Sequence, residues 1–233
     1  MNNLKEIKSG KTGFGLLVET DGYISMNEGR NKELFESHKL HESMGGEFHC
    51  PYPFVVSAVF QKYGVKNANG RIYPEEVLKK EVEKYQQAIV ERRAYGECNH
   101  PESTSIDVGR ICLNITELHW EGKTLVGEME IPITEAFRTT GAITCLADQV
   151  AHFLLSGLKL GVSSRGIGNV EQKYGSTIVT EYELICWDLV SQPSTPGAWI
   201  GNDLGELKPY MESKEKNKAK LLENLTHFNE WLD

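Results

Sequence analysis

The sequence predicts an α+β fold, a mostly antiparallel β-barrel or curled sheet flanked by helices. Three observations point there. Short runs rich in β-branched and aromatic residues recur between turn residues, as strands do. Two longer segments carry apolar residues at three- and four-residue steps, the spacing of an amphipathic helix. The connections between runs are short, which suits neighbouring strands in one curled sheet.

Residues 1–50 are polar and irregular and read as an N-terminal arm packed on a domain. Within the arm, Phe14–Glu19 suits a short strand and Lys32–His38 a short helix. Phe54–Phe60 is the first clear strand, bounded by Pro51 and Pro53. Asn69-Gly70 marks a tight turn, and Pro74 suits the first turn of a helix that runs to about Glu91. Val77, Leu78, Val82, Tyr85 and Ile89 form its apolar face. Gly96–Glu102 is a turn in which Pro101 disfavours helical geometry at His100. Asp107–Ile115 and Glu117–Glu121 read as strands, and Glu121-Gly122-Lys123 as a hairpin turn into the partly alternating strand Thr124–Ile131.

Thr139–Ser156 changes period: Ile143, Leu146, Ala147, Val150, Phe153 and Leu154 line one helical face, and Gly157 ends it. Leu158–Gly168 is rich in glycine and hydroxyls, a composition that lets backbone come close to a ligand. Thr177–Thr180 and Tyr182–Val190 read as strands and Ser191–Ala198 as a loop. The domain proper therefore spans residues 51–205, and residues 206–233 form a charged helical tail.

The formal net charge of −8 over 233 residues argues against non-specific binding to nucleic acid or to an anionic membrane. No apolar run reaches the ~18 residues of a membrane span, and the start, Met1-Asn2-Asn3-Leu4-Lys5, lacks the apolar core of a secretory signal. The five cysteines, Cys50, Cys98, Cys112, Cys145 and Cys186, are odd in number and widely spaced, as reduced thiols are. A metal site sketched from His49, Cys50, Cys98 and His100 lacks the spacing of a zinc knuckle or ribbon, so no metal and no cofactor are expected.

The glycine-rich stretch holds two hydroxyls, Ser163 and Ser164, and the guanidinium of Arg165. A serine nucleophile needs a base, and the base needs an orienting acid. The G-x-S-x-G elbow of α/β-hydrolases is absent, as is a phosphate-binding G-x-x-x-x-G-K-[S/T] loop. His100, in its polar turn, is the best base. His119 sits on a strand beside Trp120 and His152 on a helix, while His38, His41, His49 and His227 lie in the terminal segments. For the acid, Asp188 interrupts an apolar strand, where a carboxylate is costly unless a donor such as an imidazole N–H meets it. Asp107 and Glu102, near His100 in sequence, are the rivals.

Four blocks in order carry a family resemblance: Asn67-Ala68-Asn69-Gly70-Arg71-Ile72-Tyr73-Pro74; Gly96-Glu97-Cys98-Asn99-His100-Pro101; Gly161-Val162-Ser163-Ser164-Arg165-Gly166-Ile167-Gly168; and Trp187–Trp199. From about Val55 to Trp199 the chain resembles the tailed-phage prohead core proteases, which mature capsids, and more distantly the herpesvirus assemblin fold. The resemblance implies a serine endopeptidase with His100 as base and Ser163, 63 residues further on, as nucleophile. Assemblins use a second histidine as third member. The matching strand here offers Asp188 instead, so a Ser-His-Asp site is expected, with Asp107 as the alternative third residue. Ser164, Arg165 and Gly166 fall to oxyanion or supporting roles, with the Ser194–Gly197 loop as another source of donors.

The family cleaves scaffold and capsid-precursor proteins, often after glutamate, and trims itself. Leu34-Phe35-Glu36-Ser37 and Leu40-His41-Glu42-Ser43 resemble such sites, which makes the arm a candidate pro-segment. The implied partners are phage scaffold or core proteins and the major capsid protein precursor, with homo-oligomers possible and neither nucleic acid nor membrane. The implied place is the host cytoplasm, inside the assembling prohead. The alternative is a non-enzymatic capsid-assembly or scaffold protein that kept the protease fold.

Overall fold

Short β-branched runs set the architecture of the computed structural model, which describes residues 13–24, 29–43, 48, 50–173 and 175–191. In chain order the elements are β1 (Gly13–Ile24), α1 (Gly29–Ser43), β2 (Val55–Lys62), β3 (Arg71–Ile72), α2 (Glu75–Val90) and β4 (Tyr95–Glu97). A turn of 3-10 helix (Val108–Arg110) leads to β5 (Ile111–Glu121), β6 (Thr124–Glu130), α3 (Glu135–Thr140), α4 (Leu146–Leu155), β7 (Gly161–Lys173) and β8 (Ser176–Val190). The strands form one sheet in the order β3-β8-β7-β1-β2-β6-β5-β4. All pairings are antiparallel except β3 with β8.

The sheet curls until β4 returns to β8. Cys98, one residue past β4, makes an isolated parallel bridge to Leu189, and the Asn99 amide donates to the Leu189 carbonyl at 2.8 Å. Gly96 permits this approach: a Cβ there would lie 2.1 Å from the Trp187 carbonyl oxygen. One bridge is not a ladder, so the α+β expectation holds while the expected barrel is a curled sheet rather than a closed one.

The main core gathers inside the curl. Phe60, Leu113, Ile115, Met129 and Trp187 are buried there with Val82, Tyr85 and Ala88 of α2 and Val150, Ala151 and Leu154 of α4. Trp187 meets Phe60 and Tyr85 edge-on, at centroid distances of 5.6 and 5.1 Å. β6 alternates intermediate and buried positions along its length, as a half-exposed strand should.

Among the elements that differ from the sequence reading, three bear on the architecture. Residues 13–24, read as part of the N-terminal arm, form β1, an inner strand registered against β7 from Gly13 to Tyr23 and against β2 at Tyr23 and Ile24. α1 then covers the β2 edge that β1 leaves open. Asn31 Nδ2 donates to the Ser57 carbonyl at 2.7 Å, the Ser57 amide donates to Asn31 Oδ1 at 2.6 Å, and Leu34 and His38 are buried. The single helix expected over Thr139–Ser156 is two short ones. Gly141, at φ 74°, ends α3 in the left-handed region that favours glycine. Asp148 at the start of α4 then accepts from Thr134 and Thr144 through amide and hydroxyl alike, at 2.8–2.9 Å. Third, the two strands expected between Thr177 and Val190 are one continuous strand, β8. The C-terminal tail and the Ser194–Gly197 loop lie outside the described residues.

Candidate active site

The glycine-rich stretch is a strand, not a loop. β7 is buried on both faces from Gly161 to Gly168, because β1 and β8 flank it and the sheet curls around it. Its glycines serve the packing of strands rather than the approach of a ligand. A Cβ on Gly166 would lie 2.3 Å from Tyr182 Cε2 and 2.6 Å from the Glu183 carbonyl oxygen. Directly opposed residues of an antiparallel pair share a face, and consecutive residues alternate. Ser163 opposes Asp188, Ser164 opposes Trp187 and Arg165 opposes Cys186. Ser163, Arg165, Cys186 and Asp188 therefore share one face. Ser164 shares the other with Trp187, and its buried Oγ has no hydrogen-bond partner among the described residues.

His100 reaches that first face from the turn after β4. Asn99 takes φ 62°, a left-handed conformation that asparagine tolerates, and this turns the chain out of β4. Pro101 keeps His100 from continuing into a helix. His100 Nδ1 donates to Asp188 Oδ2 at 2.8 Å, and Nε2 is in hydrogen-bond contact with Ser163 Oγ. An ionised carboxylate can only accept, so Nδ1 carries the proton and Nε2 is left to accept from the serine hydroxyl. Ser163 and Asp188 are fully buried, and the His100 side chain is 13% exposed.

The carboxylate is held on several sides. Asp188 Oδ1 accepts from the Glu97 amide at 3.0 Å, from Arg165 Nη2 at 3.2 Å and from Cys186 Sγ at 3.3 Å. Arg165 Nε lies 2.9 Å from Oδ2 in an ion-pair contact without a hydrogen bond, so the guanidinium sits against both oxygens and donates to Oδ1 alone. Burial alone would push the Asp188 carboxyl up. The His100 hydrogen bond, the Glu97 amide and the Arg165 charge outweigh it and hold the carboxyl below the usual carboxylate range. Burial pushes the Cys186 thiol up, so it stays protonated and donates.

Arg165 does not point at the serine hydroxyl. Besides Asp188, its guanidinium binds the buried Glu97 carboxylate and donates from Nη1 to the Ser103 carbonyl at 2.9 Å. Its backbone and that of Ser164 face ladder partners on both sides, Val18 and Glu19 on β1 and Cys186 and Trp187 on β8. Opposite Ser163 the β1 register shifts, between Glu19 and Gly22. Asp107 is not at the site's histidine: its carboxylate caps the 3-10 turn by accepting from the Gly109 amide at 2.9 Å, and it is exposed. Glu102 is also exposed. Glu97, which sequence reasoning passed over, is fully buried and takes the Asp107 amide at 2.7 Å as well as Arg165. The signal for it was Arg165 itself, since a cation within a buried run demands a counter-charge.

The remaining candidates scatter. His119 lies exposed between Glu117 and Glu121, and His152 is exposed on α4. Of the sketched metal ligands, Cys50 is in the core, Cys98 is a half-buried free thiol, His100 is engaged as above, and His49 is outside the described residues.

Comparison with known proteins adds a family to this geometry. A family model described as prohead core protein serine protease matches residues 16–208. The prohead core protein protease of Enterobacteria phage T4 is 31% identical over 149 residues, which cover 62% of this chain and 66% of that protein, just under two thirds. The solved structure of the bacteriophage T4 capsid assembly protease has a TM-score of 0.59 at 24% identity, covering 77% of this chain and 99% of that one, a likeness of fold.

Proposed function

The chain belongs to the prohead core protein serine protease family, and from that premise we propose that it is a serine endopeptidase of prohead maturation with Ser163, His100 and Asp188 as its reacting and orienting groups. The observation that supports this assignment is the hydrogen-bonded run from Ser163 Oγ through both nitrogens of His100 to Asp188 Oδ2. His100 Nε2 takes the serine proton as Oγ attacks a peptide carbonyl, and later returns it to the leaving amine. Asp188 holds the imidazole tautomer and stabilises the imidazolium. Main-chain donors stabilise the oxyanion, each typically contributing ~3 kcal/mol. The register break opposite Ser163 and the Ser194–Gly197 loop are the places to seek them, because the amides of Ser164 and Arg165 belong to ladders.

Its substrates are the scaffold or core proteins and the precursor of the major capsid protein, cut inside the assembling prohead in the host cytoplasm. The chain also trims itself, at sites such as Glu36-Ser37 and Glu42-Ser43. By this reading the kinship extends to the herpesvirus assemblins, with Asp188 taking the part of their second histidine. Ser163→Ala and Ser164→Ala variants, each co-expressed with the scaffold protein, test the assignment. Processing lost only in Ser163→Ala supports it. Processing that survives Ser163→Ala overturns it, and processing that survives both variants favours a non-enzymatic assembly protein on the same fold.

A further inference from the structure

Glu97 and Arg165 are buried to the last atom beside Asp188, and catalysis as written above uses neither. Burying such a pair is expensive, and apolar residues of the same volume often serve stability equally well. A structural staple therefore does not account for it. Its geometry has a direction instead: the Arg165 guanidinium lies against both Asp188 oxygens, with Nη2 donating to Oδ1 and Nε in ion-pair contact with Oδ2, and Nη2 also binds Glu97.

Resting on the protease reading, we propose that Glu97 and Arg165 are positioning residues: a buried charge pair that fixes the Asp188 carboxylate toward His100 and sets the charge that His100 feels. Arg165 supplies the orientation, because a planar guanidinium set against both oxygens holds the carboxylate in one rotamer. Glu97 supplies the balance. Arg165 alone would cancel Asp188 and leave a newly formed imidazolium without a counter-charge. With Glu97 the group carries one net negative charge, which the imidazolium then neutralises. The loop carrying His100 is tied to the same pair, since Ser103 accepts from Arg165 and the Asp107 amide donates to Glu97.

Two variants separate charge from orientation. Glu97→Gln keeps the shape and removes the negative charge. His100 then titrates about one pH unit lower, and the acid limb of kcat/KM moves down with it. Arg165→Lys keeps the charge and loses the planar contact with both oxygens, so kcat falls about tenfold or more while the acid limb stays in place. The decisive readout is the His100 imidazole titration followed by NMR in Ser163→Ala protein, with and without Glu97→Gln, because it needs no protease activity. An unmoved titration in folded Glu97→Gln protein overturns the proposal even if Ser163 proves to be the nucleophile. A moved titration supports it even if processing survives Ser163→Ala, an outcome that would sink the protease reading alone. Should Glu97→Gln not fold, the same imidazole titration in Ser163→Ala protein with and without Arg165→Gln decides: loss of the positive charge raises the His100 titration if the pair sets its charge, and an unmoved titration overturns the proposal.

Discussion

At Asp188 four hydrogen-bond donors converge on two carboxylate oxygens, the Glu97 amide, Arg165 Nη2, the Cys186 thiol and His100 Nδ1, and Arg165 Nε adds an ion-pair contact. A side chain so placed has one orientation and one charge state. Asp188→Asn keeps the shape but offers an amide donor to His100 Nδ1, which favours the wrong tautomer, and kcat should fall about a thousandfold to ten-thousandfold. Asp107→Asn should leave kcat within about threefold, because asparagine caps the 3-10 turn as aspartate does. Steady-state kinetics on a scaffold-derived peptide check both. Asp188 was legible in the sequence because it broke an apolar strand. The choice between Ser163 and Ser164 was not legible from composition. It depends on strand parity, and two adjacent serines on a strand face opposite ways. Glu97 was hidden because Gly-Glu before a turn looks like an ordinary solvent-facing acid.

Among the elements, the junction of α3 and α4 shows how local chemistry overrides a helical period. The apolar spacing runs through Thr139–Ser156, but Gly141 ends one helix and Asp148 anchors the start of the next. Burial would push the Asp148 carboxyl up, and the amides and hydroxyls of Thr134 and Thr144 outweigh it, lowering the carboxyl from 3.8 to about 2. A depressed carboxyl contributes stability that is fully present above its unfolded value and lost as pH falls through its folded value. Asp148→Asn should therefore cost on the order of 2 kcal/mol at pH 7, and the gap to wild type should close as pH drops from about 4 toward 2. Urea unfolding across that range measures it, and a gap independent of pH would contradict the assignment. The glycines of β7 were read as a place where backbone meets a ligand for a related reason. A strand buried on both faces has no alternation, and glycines needed beneath Tyr182 look, in sequence, like glycines needed beneath a ligand.

Over the whole molecule, the antiparallel character and the helices were readable from period and turn chemistry, but the strand order was not. β1 sits between β7 and β2, pairing residues near position 15 with residues near position 168, and no local signal encodes such a partner. This changes what trimming at the N-terminal segment can do. Both Glu36 and Glu42 lie in α1, beyond β1 in the chain, so a cut there leaves β1 bonded inside the sheet. A chain cut at either site should elute as one species in native gel filtration and separate only in denaturant. Release of the N-terminal fragment in native buffer would show that the segment is a true pro-segment. The central claim is that Ser163 is the nucleophile and His100 its base. The most direct measurement is labelling with a fluorophosphonate, followed by fragmentation of the tryptic peptide Leu160–Arg165, which contains both serines. The adduct is predicted on Ser163 and absent in His100→Ala. An adduct on Ser164, or an active protein that takes no label at either serine, would contradict the account.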